Sequence, residues 1–380
     1  MMKIVCVTGS RADYPRVKSV LLRLHKIKKV KLNLVVTGTH LLKEYGLSIN
    51  EIIKDKLPIS KKIKIIKNKH NTFLDISFSA SKLVKEFSDY LNKTKPDLVL
   101  LTVDRYETLA SAMATFLMNI PIAHIQGGEV SGTADETIRH AVSKLSNFHF
   151  VANEDAKKRL IKLGEVEKNI FNYGCPYIDI IKNTKFNSKK KFFKKMNLDL
   201  KKKTIIFTQH PVTSEIDKTK DQIKITISAL RKFKNTQIIS FFSNADAGGK
   251  YIINELKKSS QFIIFPNIDS KNFLSLMKYA DAMIGNSSAA IREAPSFFLP
   301  AVNIGTRQNN RKRAKNVIDC GYNKQSIIKS LNKALYSKKF LKKIVKIKNP
   351  YGDGDTSEKI VDKLLKLNLK KFNIQKTITY

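Results

Sequence analysis

The stretch His124–His140 concentrates side chains that could move protons. Its seventeen residues include two histidines, three carboxylates, one arginine and three glycines, directly after an apolar run. Carboxylates and imidazoles are the usual general acids and bases of enzymes, and such groups cluster at active sites. If the apolar run is a strand, it delivers these groups to the carboxyl edge of a sheet, where open α/β folds bind ligands. We call this stretch the acid–base segment.

Two further segments place an arginine beside the end of an apolar run. Arg11 follows Gly9 and opens an amphipathic stretch, so free helix amides beside it would bind an anion; a plain capped turn is the alternative. Asp104 and Arg105 repeat the arrangement after a later run. Asp104 could act as a base and Arg105 as a charge stabiliser, or the two side chains could simply pair with each other.

The segment from Gly285 to Glu293 has the composition of a diphosphate site. It is typical of a strand, a turn of small residues and a helix, in which Ser287, Ser288 and free amides would hold phosphate oxygens. Glu293 lies where a carboxylate accepts ribose hydroxyls in nucleotide sites. The segment departs from the G-x-G-x-x-G and Walker patterns, which argues against a dinucleotide cofactor and against ATP.

Arginines are few and lie close to these segments. The chain has 11 arginines and 60 lysines. A second loop, Gly305–Arg311, offers the guanidinium of Arg307 for bidentate anion binding. His210 follows another predicted strand, and a single histidine there has an ambiguous role. The arginines in or beside the motif segments are Arg11, Arg105, Arg139, Arg292, Arg307, Arg311 and Arg313.

Length and composition indicate a two-domain globular protein. At 380 residues the chain exceeds the size at which a single core stops growing, about 250–300 residues. No apolar stretch reaches the roughly 18 residues of a membrane span, and the N-terminal residues lack the pattern of a signal peptide. The three cysteines lie far apart in the sequence, which predicts no zinc site. Cys6 and Cys175 lie in or beside apolar runs, which predicts buried free thiols in a reducing cytoplasm.

The formal charge of +39 raises the possibility of a nucleic-acid-binding protein. The lysines are spread along the whole chain, however, whereas base and phosphate recognition favours arginine, and no nucleic-acid-binding motif is present. A lysine coat on ordinary solvated faces is the simpler interpretation. We therefore expect neither a nucleic-acid partner nor a membrane partner.

Alternating strand and helix patterns predict an α/β protein with a doubly wound parallel sheet in each half. The strands predicted in the first half are Lys3–Val7, Lys31–Val36, Leu98–Leu101, Pro121–Ile125 and Phe148–Ala152, and the helices are Tyr14–His25, Thr72–Asn92, Tyr106–Leu117 and Asp135–Leu145. The strands predicted in the second half are Thr204–Thr208, Thr236–Phe242, Phe262–Phe265, Ala282–Ile284 and Ala301–Ile304, and the helices are Ile216–Phe233, Gly248–Ser259, Ser270–Tyr279 and Ser288–Pro295.

These patterns predict the domain organisation. Residues 1–175 are predicted to form an N-terminal Rossmann-like domain that carries the acid–base groups. Residues 176–355 are predicted to form a C-terminal Rossmann-like domain that binds the nucleotide. Residues 356–380 are predicted to form a helix and tail that pack back toward the N-terminal domain.

Taken together, the motifs resemble those of the hydrolysing UDP-N-acetylglucosamine 2-epimerases. They occur in the family's order over almost the whole chain: Gly9–Tyr14, Asp104–Arg105, Gly127–Thr133, Ile138–His140, Gln209–Thr213, Gly285–Ser288, Gly305–Gln308 and Tyr351–Gly354. The resemblance implies two Rossmann-like domains of the glycosyltransferase-B type with the active site in the cleft between them. It implies release of UDP and N-acetylmannosamine, or a 2,4-diacetamido-6-deoxy analogue, for sialic-acid-like sugars such as legionaminic acid. It also implies no nicotinamide or other cofactor, and a homodimer or homotetramer.

The resemblance implies roles for individual residues as well. Asp104 and Asp135 would be acid–base carboxylates. Inversion at C2 of a sugar needs proton transfer on both faces, so more than one such group is required, and Glu129, His124 and Arg105 are further candidates. The residues expected to hold UDP are Arg11, His210, Ser287 and Ser288 with Glu293, and additionally Arg139, Asn244 and Arg307.

Gln126 is a departure from the family's pattern. Many relatives have a carboxylate two residues after the motif histidine, whereas this chain has an amide, which cannot transfer protons at physiological pH. Either Gln126 only orients the acetamido group, or Glu129 takes over the role, or activity is reduced.

Two other functions remain open. A non-hydrolysing epimerase or a glycosyltransferase of the same fold would release a UDP-sugar or need an acceptor. A nucleic-acid-binding protein is supported only by the net charge.

Overall fold

The computed structural model describes residues 1–66, 72–243, 248–369 and 374–379. The chain divides into two compact units. The first unit comprises Met1–Val130, Ala134–Lys182 and Tyr351–Tyr380. The second comprises Ser131–Thr133 and Asn183–Pro350. Each unit contains a parallel sheet with helices on its faces, as the sequence predicts.

Within the described residues, the sheet of the first unit has seven parallel strands. They are β1 (Met2–Thr8), β2 (Val30–Thr37), β3 (Ile59–Ile63), β4 (Leu98–Thr102), β5 (Ile122–Ile125), β6 (Phe148–Val151) and β7 (Ile170–Asn172). The strand order is β3-β2-β1-β4-β5-β6-β7, so the direction of winding reverses between β1 and β4. In open α/β sheets, ligands bind beside the carboxyl ends of the strands at such a reversal.

Helices cover both faces of this sheet because its strands are apolar on both sides. The helices are α1 (Tyr14–His25), α2 (Ile49–Lys54), α3 (Phe73–Thr94), α4 (Tyr106–Leu117), α5 (Ala134–Leu145), α6 (Glu154–Lys162) and α7 (Pro176–Asn183). Side chains of β1 alternate between the two faces: Ile4 and Cys6 pack with α1, whereas Val5 and Val7 pack with α3, α4 and α5.

Within the described residues, the sheet of the second unit has six parallel strands in the order β10-β9-β8-β11-β12-β13, with the reversal between β8 and β11. The strands are β8 (Lys203–Thr208), β9 (Thr236–Phe241), β10 (Phe262–Phe265), β11 (Ala282–Gly285), β12 (Ala301–Ile304) and β13 (Val317–Cys320). The helices are α8 (Lys189–Lys195), α9 (Thr219–Leu230), α10 (Gly249–Lys257), α11 (Ser270–Tyr279), α12 (Ala289–Arg292), α13 (Lys324–Tyr336) and α14 (Lys338–Ile344).

After the second unit the chain returns to the first through α15 (Thr356–Leu365). Ile360, Val361 and Leu364 of α15 are buried in the same core cluster as α1. Short 3₁₀ helices complete the described elements: Gly38–Leu41, Lys43–Tyr45, Glu167–Asn169, Thr213–Lys218 and Ala294–Phe297. None of the helices in the described ranges is long and apolar enough to cross a bilayer.

The boundaries between the two units lie at slightly different residues from those predicted. The first boundary falls after Lys182 rather than after residue 175, and the second after Pro350 rather than after residue 355. The physical reason is that α7 packs on the first unit: the Ser19 hydroxyl donates to the Pro176 carbonyl at 2.9 Å, and Cys175 N donates to the Tyr351 carbonyl at 2.7 Å. Two predicted helices are also interrupted. Ile216–Phe233 begins as a 3₁₀ turn before α9, and Ser288–Pro295 splits into α12 and a 3₁₀ turn.

Candidate active site

The loop after β1 is held in shape by Asp13. Its carboxylate accepts hydrogen bonds from the Thr8 hydroxyl at 2.8 Å, from Gly9 N at 2.8 Å and from Ser10 N at 3.0 Å. The ring of His40, which is fully buried, lies 3.7 Å from the same carboxylate. Burial by itself would raise the pKa of Asp13, but His40 and the hydrogen bonds outweigh it and hold the pKa below its usual value. A charged Asp13 therefore fixes the loop that carries Arg11.

Arg11 lies in this loop and is half-buried. Burial lowers the pKa of its guanidinium, and Tyr45 acts in the opposite direction. Removing a guanidinium from water makes it a stronger anion ligand, because screening by solvent is weaker. Its place at the β1–β4 reversal agrees with the predicted anion-binding role.

Asp104, directly after β4, is paired with Arg139 of α5. Arg139 Nε donates to Asp104 Oδ2 at 3.0 Å, and a second nitrogen of the guanidinium donates to the same oxygen. The remaining arm of the guanidinium donates to the Glu129 carbonyl. The Arg139 side chain is fully buried, whereas the Asp104 side chain is 17% exposed. In this geometry Arg139 positions the Asp104 carboxylate, and its predicted contact with UDP stays a prediction.

His124 of β5 is fully buried. Its Nε2 lies 2.8 Å from the Val103 carbonyl and its Nδ1 lies 3.1 Å from the Ser143 hydroxyl. Burial lowers the pKa of His124 to about 3, so the ring is neutral, with Nε2–H donating to the carbonyl. A Cβ on Gly127 would lie 2.8 Å from His124 Nδ1, which leaves room only for glycine. His124 thus supports the backbone at Asp104.

Gln126 is fully buried and has a left-handed backbone conformation, with φ of 67°. Its side-chain amide donates to the Cys175 sulfur at 2.7 Å, and its backbone N donates to the Phe150 carbonyl at 2.7 Å. Cys175 is fully buried as well. Gln126 therefore joins the start of the acid–base segment to the chain segment that follows β7.

Two other members of the acid–base segment differ in exposure. Glu129 is 2% exposed, and Asn153 Nδ2 lies 3.5 Å from its Oε1. Asp135 is half-buried in the first turn of α5, at the helix end where a carboxylate is favoured. His140 faces Glu136 at 3.9 Å, and burial lowers its pKa.

Glu107 is a residue of this edge that the sequence analysis did not single out. It is 2% exposed, and its carboxylate lies 3.6 Å from Nε of Arg105. The Glu107 side chain also lies against the loops that contain Gly9 and Gly38. A Cβ atom added to Gly9 would lie 3.2 Å from Glu107 Cγ, and a Cβ atom added to Gly38 would lie 2.9 Å from Glu107 Oε1. The signal in the sequence is its position three residues after Asp104, in the first turn of α4.

At the reversal of the second sheet, the loops after β8 and β11 are bonded to each other. Asn286 Oδ1 accepts from His210 N at 2.7 Å, and Asn286 Nδ2 donates to the His210 carbonyl at 2.8 Å. A Cβ on Gly285, whose φ is 126°, would lie 1.9 Å from the Thr208 carbonyl, so only glycine lets the strands approach. The His210 ring lies 3.3 Å from the Ser243 hydroxyl through Nδ1. Asn286 is therefore the organising residue of this edge.

The remaining residues predicted to bind UDP surround this pair of loops. Ser287 and Ser288 are partly exposed at the start of α12, and Ser287 Oγ accepts from Ala289 N at 3.3 Å. Arg307 and Gln308 both donate to the Asn286 carbonyl, at 3.3 and 2.9 Å. Glu293 is 1% exposed. Asn244 lies outside the described residues.

The structure thus collects the candidates at two carboxyl edges. Arg11, Asp104 and Arg105 lie at the reversal of the first sheet. His124 lies on the neighbouring strand β5, Glu129 in the loop that follows it and Asp135 in α5. His210, Ser287 and Ser288 lie at the reversal of the second sheet. Within the described ranges, no group of three or more His, Cys, Asp or Glu side chains is arranged to hold a metal ion.

Comparison with known proteins assigns the family. The model of the UDP-N-acetylglucosamine 2-epimerase family matches residues 22–365. The chain is 39% identical to the hydrolysing UDP-N,N'-diacetylbacillosamine 2-epimerase of Legionella pneumophila, over 100% of this chain and 99% of that protein. It is 40% identical to the hydrolysing GDP/UDP-N,N'-diacetylbacillosamine 2-epimerase of Campylobacter jejuni, over 84% of this chain and 85% of that protein.

The fold of this chain is similar to that of a solved structure. The UDP-GlcNAc 2-epimerase of Neisseria meningitidis, bound to UDP-GlcNAc, superposes with a TM-score of 0.82 at 23% identity, covering 96% of this chain and 100% of that one. The likeness confirms the predicted glycosyltransferase-B type of fold. Since the family model and the full-length relatives agree with the motifs at both sheet edges, the chain belongs to the UDP-N-acetylglucosamine 2-epimerase family.

Proposed function

We propose that the protein is a hydrolysing UDP-sugar 2-epimerase. It converts a UDP-2-acetamido sugar of gluco configuration and water to UDP and the free manno-configured sugar. The observation that carries this proposal is the identity of 39% over the whole chain to a relative named for the hydrolysing reaction. The separation of chemical groups between the two sheet edges supports it: carboxylates at one, and amides, hydroxyls and a guanidinium at the other.

The reaction begins with elimination. A carboxylate at the first sheet removes the proton from C2 of the sugar, the C1–O bond breaks, and UDP leaves on the opposite face with the bonding electrons. Asp104 suits the role of base because Arg139 fixes its orientation through two hydrogen bonds to Oδ2, and its side chain is 17% exposed. The product of this step is a glycal with a double bond between C1 and C2.

The second step restores the sugar. Water adds its oxygen to C1 of the glycal, and a proton is delivered to C2 on the face opposite to the one deprotonated. A second acid–base group is therefore required. We assign it to Asp135, which lies in the first turn of the same helix that carries Arg139 and is partly accessible to solvent. Glu129 is buried beside Asn153 and is the other candidate.

UDP binding is assigned to the second sheet and to Arg11. Departure of UDP requires that its developing charge be neutralised. The helix start at Ser287 and Ser288, His210 and the guanidinium of Arg307 supply donors around the Asn286-bonded loops. Because Asn286 links the two loops by reciprocal hydrogen bonds, these donors are ordered before the ligand arrives, which lowers the entropic cost of binding.

For the substrate we favour UDP-2,4-diacetamido-2,4,6-trideoxy-glucose over UDP-N-acetylglucosamine. The support is that relatives at 39% and 40% identity are named for UDP-N,N'-diacetylbacillosamine, which is that diacetamido sugar. A relative named for UDP-N-acetylglucosamine, from Neisseria meningitidis, is 34% identical. The product would then serve the synthesis of a sialic-acid-like sugar such as legionaminic acid in the cytoplasm.

The test is incubation with each of the two UDP-sugars in D₂O, with the products identified by NMR. The proposal expects free UDP and a manno-configured reducing sugar that carries deuterium at C2, with the higher kcat/KM for the diacetamido substrate. A C2 epimer still attached to UDP would instead show a non-hydrolysing epimerase. A gluco-configured sugar without deuterium, or a product formed only with an added acceptor, would point to a hydrolase or a glycosyltransferase.

A further inference from the structure

The last described segment of the chain, residues 374–379, lies against the C-terminal end of α5. The Nζ atom of Lys376 donates to the Ser146 carbonyl at 2.6 Å and to the Lys144 carbonyl at 2.8 Å, with the Ser143 carbonyl at 3.4 Å. Asn147 Nδ2 donates to the Ile374 carbonyl at 3.3 Å. The segment is thus bonded to this helix end although 230 positions in the sequence separate Ser146 from Lys376.

The hydrogen bonds of Lys376 complete the end of α5. An α-helix leaves its last four carbonyls without an amide partner of its own. Ser146 serves two of them: its hydroxyl donates to the Val142 carbonyl at 2.7 Å, and its backbone N donates to the Ser143 carbonyl at 3.0 Å. Lys376 serves the next one, at Lys144, and brings a positive charge to the negative end of the helix dipole. Lys376 is therefore a C-terminal cap supplied from a distant part of the sequence.

Glu165, which follows α6, holds the Lys376 ammonium: its side chain is 2% exposed, and its Oε2 lies 2.5 Å from Lys376 Nζ. His149 Nε2 lies 2.9 Å from the same oxygen, and Lys144 Nζ lies 3.2 Å from Oε1. Burial by itself would raise the pKa of Glu165, but His149 and Lys376 outweigh it and hold the pKa below its usual value. Burial lowers the pKa of Lys376, and Glu165 acts in the opposite direction. A buried carboxylate that stays charged requires cations, and Lys376 is one of the two that it contacts.

Helix α5 carries side chains on which the proposed reaction depends. Asp135 lies in its first turn, and Arg139, which holds Asp104, lies in its middle. At a rise of about 1.5 Å per residue, Lys144 lies roughly 14 Å along the helix from Asp135 and roughly 7.5 Å from Arg139. A displacement of the helix end is therefore passed along α5 to both residues. Because a misplacement of about 1 Å can cost roughly a hundredfold in rate, the anchoring of α5 affects turnover.

We propose that Lys376 is a positioning residue for the acid–base chemistry: by capping α5 it fixes Asp135, and through Arg139 it fixes Asp104. The inference rests on the proposed function, since Lys376 acts through these residues. UDP binding is assigned mainly to the second unit, whereas the Lys376 contacts lie within the first. Loss of the cap should therefore lower turnover and leave UDP affinity unchanged.

The experiment compares full-length Lys376→Met with the wild type, well below the temperature of unfolding. Methionine keeps an unbranched apolar side chain and removes the charge and its hydrogen bonds. The kcat for UDP release is expected to fall about tenfold, with KM and the calorimetric affinity for UDP unchanged. Hydrogen–deuterium exchange is a readout independent of activity: it should become faster in the last turns of α5 and stay at the wild-type rate in α9 of the second unit. Circular dichroism and the stoichiometry of UDP binding verify that the variant is folded.

A chain that lacks residues 374–380 is the second variant, and it should lose at least as much kcat as Lys376→Met. The matched control is Lys366→Met, which changes an exposed lysine at the end of α15. It should leave both kcat and the exchange of α5 at wild-type values.

The inference is overturned if Lys376→Met keeps the wild-type kcat, or if its kcat falls without faster exchange in α5. An equal loss of kcat in Lys366→Met would overturn it as well. A wild-type protein that releases no UDP from either sugar would instead contradict the proposed function. In that case the exchange of α5 still decides whether Lys376 caps the helix.

Discussion

At the carboxyl edge of the first sheet, charged side chains are buried against one another, whereas at the edge of the second sheet amides and hydroxyls predominate. Asp13 faces His40, Asp104 faces Arg139 and Glu107 faces Arg105. In the second unit, Asn286 instead bonds to the backbone of His210 and accepts from Arg307 and Gln308 through its carbonyl. The strand order around the two reversals is the same, whereas the loops at the two edges differ in their chemistry.

The difference agrees with the roles proposed for the two edges. Proton transfer needs carboxylates whose orientation and ionisation are controlled, and buried ion pairs provide both. Anion binding needs donors that are already in place, and neutral amides supply them without competing carboxylates. Substitutions of the carboxylates at the first edge should therefore change turnover. Substitutions of Arg11 and of the donors at the second edge should change nucleotide affinity.

Asp104→Asn should give the largest effect. Loss of a general base lowers turnover by roughly a hundredfold or more, while the affinity for UDP should stay nearly unchanged. Asp135→Asn should behave in the same way with less effect on stability, because it leaves the ion pair between Asp104 and the fully buried Arg139 in place. Steady-state kinetics and calorimetric titration with UDP measure the two quantities. Either variant retaining near wild-type turnover would remove that residue from the chemistry.

Ser287→Ala and Arg11→Ala should act on binding instead. Each removes a hydrogen bond to a charged ligand, which costs about 1.5–3 kcal/mol, or roughly a tenfold to hundredfold rise in the dissociation constant of UDP. Ser228→Ala and Arg231→Ala, at the C-terminal end of α9, are matched controls away from both edges and should leave the affinity unchanged. If calorimetry shows that Ser287→Ala binds UDP as tightly as the wild type does, the proposal that the second edge binds UDP is wrong.

Gln126→Glu should destabilise the protein without raising turnover. The side chain is fully buried against the Cys175 sulfur, so a carboxylate there loses its solvation and its donated hydrogen bond, at a cost of about 1–3 kcal/mol. Burial raises the pKa of a carboxyl group, so the destabilisation should disappear as the pH falls and the group becomes protonated. Denaturant titrations at several pH values test this, with Gln126→Met as the uncharged control. Faster turnover with a new ionisation would instead show that this position transfers protons.

The smallest effect concerns His124 and pH. Its pKa is lowered to about 3, whereas a histidine in an unfolded chain has a pKa near 6.5, so the unfolded state binds more protons between these values. The free energy of unfolding is therefore unaffected by His124 above about pH 6.5. Below that pH it decreases by up to roughly 1.4 kcal/mol per pH unit because of this residue. His149, whose pKa burial also lowers, adds to the fall. In the His124→Gln variant, the free energy of unfolding measured by denaturant titration should decrease less steeply between pH 6.5 and 5 than in the wild type. A slope identical to wild type would contradict a neutral, buried His124.

The central strands and the motif positions could be read from the sequence because both carry strong local signals. The strands that the patterns missed, β3, β7 and β13, all lie at sheet edges. Edge strands face solvent on one side, and β3 contains the consecutive polar residues Ser60, Lys61 and Lys62, which hide its periodicity. The helix α13 was missed although it has regular apolar spacing at Ile327, Leu331 and Leu335.

Side-chain roles within the motifs could not be predicted as well as their positions. Whether Arg139 faces a ligand or Asp104 depends on the direction of a side chain in α5, which residue spacing leaves open. The contact of Gln126 with Cys175 joins residues 49 positions apart, and it needs the left-handed backbone at Gln126. Asn286 was noticed only as part of a turn of small residues, although it organises the whole edge.

The return of the chain to the first unit through α15 sets the order in which the protein can fold during synthesis. The core around α1 is complete only when Ile360, Val361 and Leu364 are present, more than three hundred residues after β1. Asn183–Pro350, in contrast, forms nearly all of the second unit as one continuous piece. Domains generally fold as units while the ribosome is still elongating the chain. The second unit, although synthesised later, is therefore able to finish its core first, and the first unit becomes stable only near the end of translation.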